Sequence, residues 1–108
     1  MAWVEETTTS RALVGNEGVI GNNAATITMT LPASCAVGDV FRVTQKGAGL
    51  VRVAQNAGDT IHFGTSDTTA GAGGYLETTE QWDAIEFLCV TANTDWMVLS
   101  TTGNITIV

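Results

Sequence analysis

Ala25-Thr26-Ile27-Thr28-Met29-Thr30-Leu31 alternates apolar and hydroxylated residues without a break, and Pro32 ends it. Successive side chains of an extended chain point to opposite faces, so Ile27, Met29 and Leu31 share one face and the threonines the other. That is the pattern of a half-buried strand. Working outward, Val40-Phe41-Arg42-Val43-Thr44 repeats it after a Gly38-Asp39 turn, with Phe41 and Val43 on one face. Lys46-Gly47-Ala48-Gly49 turns the chain into Leu50–Ala54, and Asn56-Ala57-Gly58-Asp59 turns it into Thr60-Ile61-His62-Phe63. An irregular glycine-rich stretch runs from Gly64 to Gly74, after which Tyr75–Thr79 resumes a strand. Ala84 to Val90 is almost continuously apolar, which predicts a central strand with both faces covered. Asn93-Thr94-Asp95 makes a tight turn into Trp96–Ser100, with Trp96 as core, and Thr101–Asn104 turns into Ile105–Val108, a strand tied into a sheet or interface. Breakers every 8 to 12 residues or so, with no helical periodicity between them, predict an all-β fold: an antiparallel β-sandwich or a jelly-roll-like module.

Composition agrees. Threonine fills roughly a sixth of the 108 residues, while Lys and Arg together number 4. β-branched threonine favours strands, and the usual surface-helix formers are scarce. The length allows one domain only. A formal charge of −7 excludes a nucleic-acid partner, because Arg11, Arg42, Lys46 and Arg52 are too few to line a phosphate groove. Membrane insertion is not expected, since every apolar run is only a few residues long. Met1-Ala2-Trp3-Val4-Glu5-Glu6 lacks the basic start and apolar core of a secretory signal. A mean hydropathy of +0.20 is high for so small a domain, whose surface-to-volume ratio is poor. Such a chain is expected to hide part of its outer surface by associating with copies of itself.

Chemistry-bearing residues are sparse. The single histidine, His62, faces away from Ile61 and Phe63 and reads as a surface or interface residue rather than a general base. Cys35 and Cys89 have no metal or redox spacing; Cys89 reads as a small buried hydrophobe, with a disulfide to Cys35 the lesser alternative. The acidic residues are dispersed, so no calcium loop and no metal is expected. Gly71-Ala72-Gly73-Gly74 has no following Lys-Ser/Thr and no helix, and reads as turn glycines rather than a phosphate cradle. No catalytic centre and no cofactor are expected. The aromatics carry the stronger signal. Trp82, flanked by polar residues in Glu80-Gln81-Trp82-Asp83, reads as a subunit-interface or core ring first and a sugar-stacking ring second. A saccharide site would then draw on Trp82 or Tyr75 beside Asp83, Glu80 or Asn93. Trp3 is left without a role.

Pro32-Ala33-Ser34-Cys35-Ala36-Val37-Gly38-Asp39-Val40-Phe41-Arg42-Val43 is the start of a further set of segments. Ala54-Gln55-Asn56-Ala57-Gly58, Thr60-Ile61-His62-Phe63-Gly64, Thr91-Ala92-Asn93-Thr94-Asp95-Trp96 and Gly103-Asn104-Ile105-Thr106 complete it. Together they resemble a β-module found near the C-terminus of bacteriophage tail fibres, tailspikes and related virion or prophage proteins. The resemblance covers roughly residues 25–108 and rests on turn and strand residues, not a catalytic signature. It implies a homotrimer packed about a fibre axis, a role in assembling and stabilising that trimer, recognition of sugars on the bacterial surface, and a place in the virion after synthesis in the bacterial cytoplasm. Residues 1–24 would be an N-terminal strand or arm, with Gly15-Asn16-Glu17-Gly18 as a turn, and residues 25–108 the sandwich module. The alternative function is a stand-alone carbohydrate-binding module.

Overall fold

In the computed structural model, which describes residues 2–108, the chain folds into strands and turns only. The strands are β1 (Ala2–Glu6), β2 (Ser10–Ala12), β3 (Glu17–Gly21), β4 (Ile27–Thr30), β5 (Val40–Gln45) and β6 (Val51–Ala54), followed by β7 (Thr60–Phe63), β8 (Ser66–Asp67), β9 (Tyr75–Glu77), β10 (Ala84–Thr91), β11 (Asp95–Thr102) and β12 (Thr106–Ile107). They form a seven-stranded sheet, β1-β3-β5-β10-β11-β7-β8, and a five-stranded sheet, β12-β9-β6-β4-β2. The all-β expectation holds.

Two sheets around one core are consistent with the expected sandwich, but the sheets are mixed, which corrects the expected antiparallel pairing. The first six strands alternate between the two sheets, and each pairs in parallel with the strand two before it: β1, β3 and β5 in the larger sheet, β2, β4 and β6 in the smaller. The chain therefore winds around the core instead of folding back in hairpins. Its second half supplies the antiparallel pairs β5–β10, β10–β11, β7–β8, β6–β9 and β9–β12. A short polar turn has the same composition whether the strand after it returns beside its predecessor or crosses to the opposite sheet. Residues 1–24, expected as a strand or arm, supply β1, β2 and β3 and give Leu13 and Val19 to the core. The turn there is confined to Gly15 and Asn16, and the strand begins at Glu17.

Inward side chains from both sheets meet in one core. Ile27, Met29, Val51, Val53 and Leu76 from the smaller sheet pack with Phe41, Ile61, Ile85, Phe87 and Trp96 from the larger, all at most 1% exposed. Phe41 stacks on Phe87 at 5.4 Å between ring centroids, and Trp96 stands edge-on to Phe41 at 5.0 Å. Offset-stacked and edge-on contacts both suit the ring quadrupoles. Cys89 is buried beside them; both thiols are free, and burial, together with a hydrogen bond involving Cys35, pushes the Cys89 thiol well above its ordinary range.

Two glutamines clasp the winding. The Thr78 hydroxyl donates to Gln45 Oε1 at 2.6 Å and accepts the Val51 N–H at 2.8 Å, while Gln45 Nε2 donates to the Gly47 carbonyl at 3.1 Å. Ten residues on the device recurs: the Thr68 hydroxyl donates to Gln55 Oε1 and accepts the Ile61 N–H, and Gln55 Nε2 donates to the carbonyls of Asp59, Thr69 and Gly71. Each clasp satisfies buried backbone groups at a crossing that no sheet ladder reaches. At the open end of the winding, edge strands β1 and β2 turn charges inward: Arg11 pairs with Glu6 at 3.1 Å and with the buried Glu17. Inward charges on edge strands also discourage strand addition from another chain. At the other end the chain is tied down, with the Val108 N–H donating to the Tyr75 carbonyl at 3.0 Å and the Val108 carbonyl accepting from Thr69.

Candidate functional site

The larger sheet turns one face to the core and the other outward, and parallel and antiparallel registers bring distant residues into rows across that outer face. One row is Val40, Leu88, Met97, His62 and Asp67, on β5, β10, β11, β7 and β8. The next is Trp3, Gly18, Arg42, Glu86 and Ser100, on β1, β3, β5, β10 and β11. A register shift between Glu86 and Phe87 leaves Leu99 as the extra residue of β11 between the rows. Such a bulge re-aims the side chains around it.

The first row is apolar at its centre. Met97 is 41% exposed and Leu99 46%, with Val40, Leu88 and Val90 half-buried alongside. The continuous apolar run of β10 predicts a strand covered on both faces, and the structure covers only one. Only Ile85, Phe87 and Cys89 are buried, while Leu88 and Val90 lie on the outward side.

His62, next to last in this row, lies between two carboxylates, its Nδ1 2.7 Å from Asp67 Oδ1 and its Nε2 3.1 Å from Asp95 Oδ1. Both partners favour the imidazolium, which donates from each nitrogen; the Asp67 bond is the larger cause, Asp95 the next, and together they raise the His62 pKa. In return, the bond to His62 lowers that of Asp95. A raised native pKa stabilises the fold below the unfolded pKa of about 6.5, and that contribution disappears as pH rises through the native value. The site is solvent-screened, so the effect is small, on the order of 0.5–1 kcal/mol. The melting temperature of wild type relative to His62→Gln should therefore be higher at pH 6 than at pH 9; a pH-independent difference would show that the carboxylates do not hold the charge.

The second row forms a cleft of about 150 Å³ lined by Trp3, Arg42, Glu86, Ser100, Thr101 and Thr102, among others. Gly18 makes it. A Cβ on Gly18 would lie 2.6 Å from Cδ2 and Cε3 of Trp3, so the indole covers the bare glycine backbone. One ring face is thereby fixed against the sheet, yet Trp3 remains 49% exposed. Beside it Arg42 Nε pairs with Glu86, and the Ser100 hydroxyl lies 3.5 Å from the other Glu86 oxygen. The result is an aromatic shelf next to a fixed donor–acceptor pair. Sequence reasoning left Trp3 unassigned, although a glycine inside a strand between buried residues is itself a mark of close approach.

The residues expected at a saccharide site lie in three places. Trp82, Glu80 and Asp83 share the loop before β10. Trp82 is 67% exposed at φ 73°, a left-handed conformation that costs a non-glycine residue roughly 1–2 kcal/mol. Asp83 is turned inward, and its Oδ2 accepts from the N–H groups of Thr79 and Glu80. Tyr75 is on the smaller sheet, with the Arg52 guanidinium 4.0 Å from its ring centroid and Arg52 Nε 2.6 Å from Glu77. Asn93 lies beyond the far end of β10, and its side-chain oxygen accepts the Cys35 N–H at 2.7 Å. The eight residues of β10, roughly 25 Å of extended strand, separate it from the Trp82 loop. Trp96, read as core, is fully buried. No group of three or more His, Cys, Asp or Glu side chains placed to hold a metal ion occurs among the described residues, nor any helix long and apolar enough to cross a membrane. No family model matches the chain, and no curated protein matches it.

Proposed function

We propose that this chain is a non-catalytic assembly and recognition module of the virion-fibre kind, a homotrimer that stabilises the fibre and meets the host surface. The observation that carries the reading is the uncovered apolar centre of the larger sheet: Val40, Leu88, Val90, Met97 and Leu99 on its outer side, at strands β5, β10 and β11. Outward positions of a sheet that faces water on one side are ordinarily polar. Apolar residues there, on a small domain of high mean hydropathy, favour burial against copies of the same chain. Ile27, Met29, Leu31, Ile85 and Phe87 point into the protomer, so the association would not draw on them.

Light scattering across a dilution series tests the proposal. Wild type should hold the mass of a trimer, and Leu88→Asp should fall to monomer while keeping a cooperative melt, because Leu88 lies outside the core. A wild-type monomer, or a Leu88→Asp variant of unchanged mass, overturns it. Glycan recognition is favoured by the shelf at Trp3, which the alternative, a stand-alone carbohydrate-binding module, would use equally well.

A further inference from the structure

We infer that the cleft between Trp3 and Ser100 is a binding site for a neutral pyranose, seated with its apolar C–H face on the Trp3 indole. This rests on the recognition part of the function proposed above and names its ligand class and residues. Three features of the cleft converge on that ligand. The first is the shelf: a ring with one face against Gly18 and the other open is already positioned, so little ordering is lost when a flat apolar surface settles on it. The second is the Arg42–Glu86 pair, which places a guanidinium donor next to a carboxylate acceptor across β5 and β10. Adjacent sugar hydroxyls both donate and accept, so one can give to Glu86 while its neighbour accepts from Arg42. The third is the hydroxyl rim of Ser100 and Thr102, which supplies further partners to ring-edge oxygens.

Charge selects neutral over acidic sugars. Among the described residues Arg42 is the only cation lining the cleft and Glu86 already pairs with it, on a chain of net charge −7. A carboxylated sugar would have to break that pair and approach Glu86. A single shallow cleft binds weakly, and three copies on one fibre would multiply the effect by avidity.

The test is a titration of the full chain with the methyl glycosides of glucose, galactose and mannose and with methyl glucuronide, up to tens of millimolar. Amide and indole NMR resonances report the site, and light scattering on the same samples reports the oligomer. At least one neutral glycoside should shift the Trp3 indole signal and the Ser100–Thr102 amides together, and should bind more tightly than the glucuronide. Trp3→Ala should weaken binding about tenfold, the loss of one stacking contact, at unchanged oligomeric mass, and Trp3→Phe should retain most of it. Gly18→Ala keeps the indole but removes its seat, and should weaken binding as well. The site is overturned if no neutral glycoside moves those signals, if the shifts map to Trp82 instead, or if the glucuronide binds best. A monomeric protein that still binds at Trp3 would sink the trimer and leave the pyranose site standing.

Discussion

Thr78→Val is expected to remove about 3–4 kcal/mol of folding stability, although valine has almost the same shape and Thr78 touches no proposed ligand. Its hydroxyl is fully buried and closes two bonds at once, taking the Val51 N–H and giving to Gln45 Oε1. Valine leaves both groups desolvated without a partner, and each such orphan costs about 1–3 kcal/mol. The Gln45 side chain is 1% exposed and its Nε2 is held by the Gly47 carbonyl, so it cannot turn its oxygen to water. A domain of this size commonly has about 5–15 kcal/mol in all, so the loss is a large share. Thr78→Ser keeps the hydroxyl and should lose only about 1 kcal/mol for the missing methyl. The twin change Thr68→Val orphans the Ile61 N–H and Gln55 Oε1 and should cost a similar amount. Urea denaturation of the three variants decides: Thr78→Val within about 1 kcal/mol of wild type would mean that water or a rearranged glutamine fills the gap.

Neither clasp was visible in the sequence, because a Gln–Thr pair separated by 33 residues, or by 13, leaves no periodic trace. Alternation was visible, since it reports a local property: which side of a strand a residue takes. Ile27, Met29 and Leu31 are buried together and their threonine neighbours are not, as that pattern requires. The parallel winding was hidden for the opposite reason. Pairing β1 with β3 and β3 with β5 depends on where each turn delivers the chain, and turn residues specify a change of direction without naming the sheet it leads to.

The same division governs the candidate site. Trp82 reads from its polar neighbours as a subunit-interface or core ring first and a sugar-stacking ring second, and an indole 67% exposed removes the core alternative. The shelf at Trp3 needs β1 and β3 side by side in parallel, so that Trp3 falls opposite Gly18, and β5 and β10 beyond them to bring Arg42 and Glu86. The cleft draws on β1, β3, β5, β10 and β11, and only the register joins those segments. Gly18 is the one local clue, and it reads as a turn residue because Gly15-Asn16 just before it is a turn.

Asp83→Ala carries the other large expected effect, about 3–5 kcal/mol, and it separates a structural carboxylate from a ligand-binding one. The Asp83 carboxylate is 6% exposed and receives the Thr79 N–H at 2.9 Å and the Glu80 N–H at 3.1 Å. Hydrogen bonds to a charged acceptor are worth about 1.5–3 kcal/mol each, and alanine supplies no substitute. Thr79 in turn donates to the Asn104 carbonyl at 2.6 Å, so the loop before β10 and the turn after β11 should loosen together. Gly103 belongs to the same arrangement: at φ 86° a Cβ there would fall 1.8 Å from Asp83 Oδ1. Gly103→Ala should therefore cost a comparable amount, part backbone strain and part displacement of the carboxylate. Because the two losses share one cause, the double variant should cost less than their sum. Asp83→Asn keeps an acceptor oxygen and should fall between alanine and wild type. Should Asp83→Ala instead melt like wild type and lose saccharide binding, the carboxylate would be a ligand group and the pyranose would sit on Trp82; a destabilised variant that still binds at Trp3 puts the site across the larger sheet.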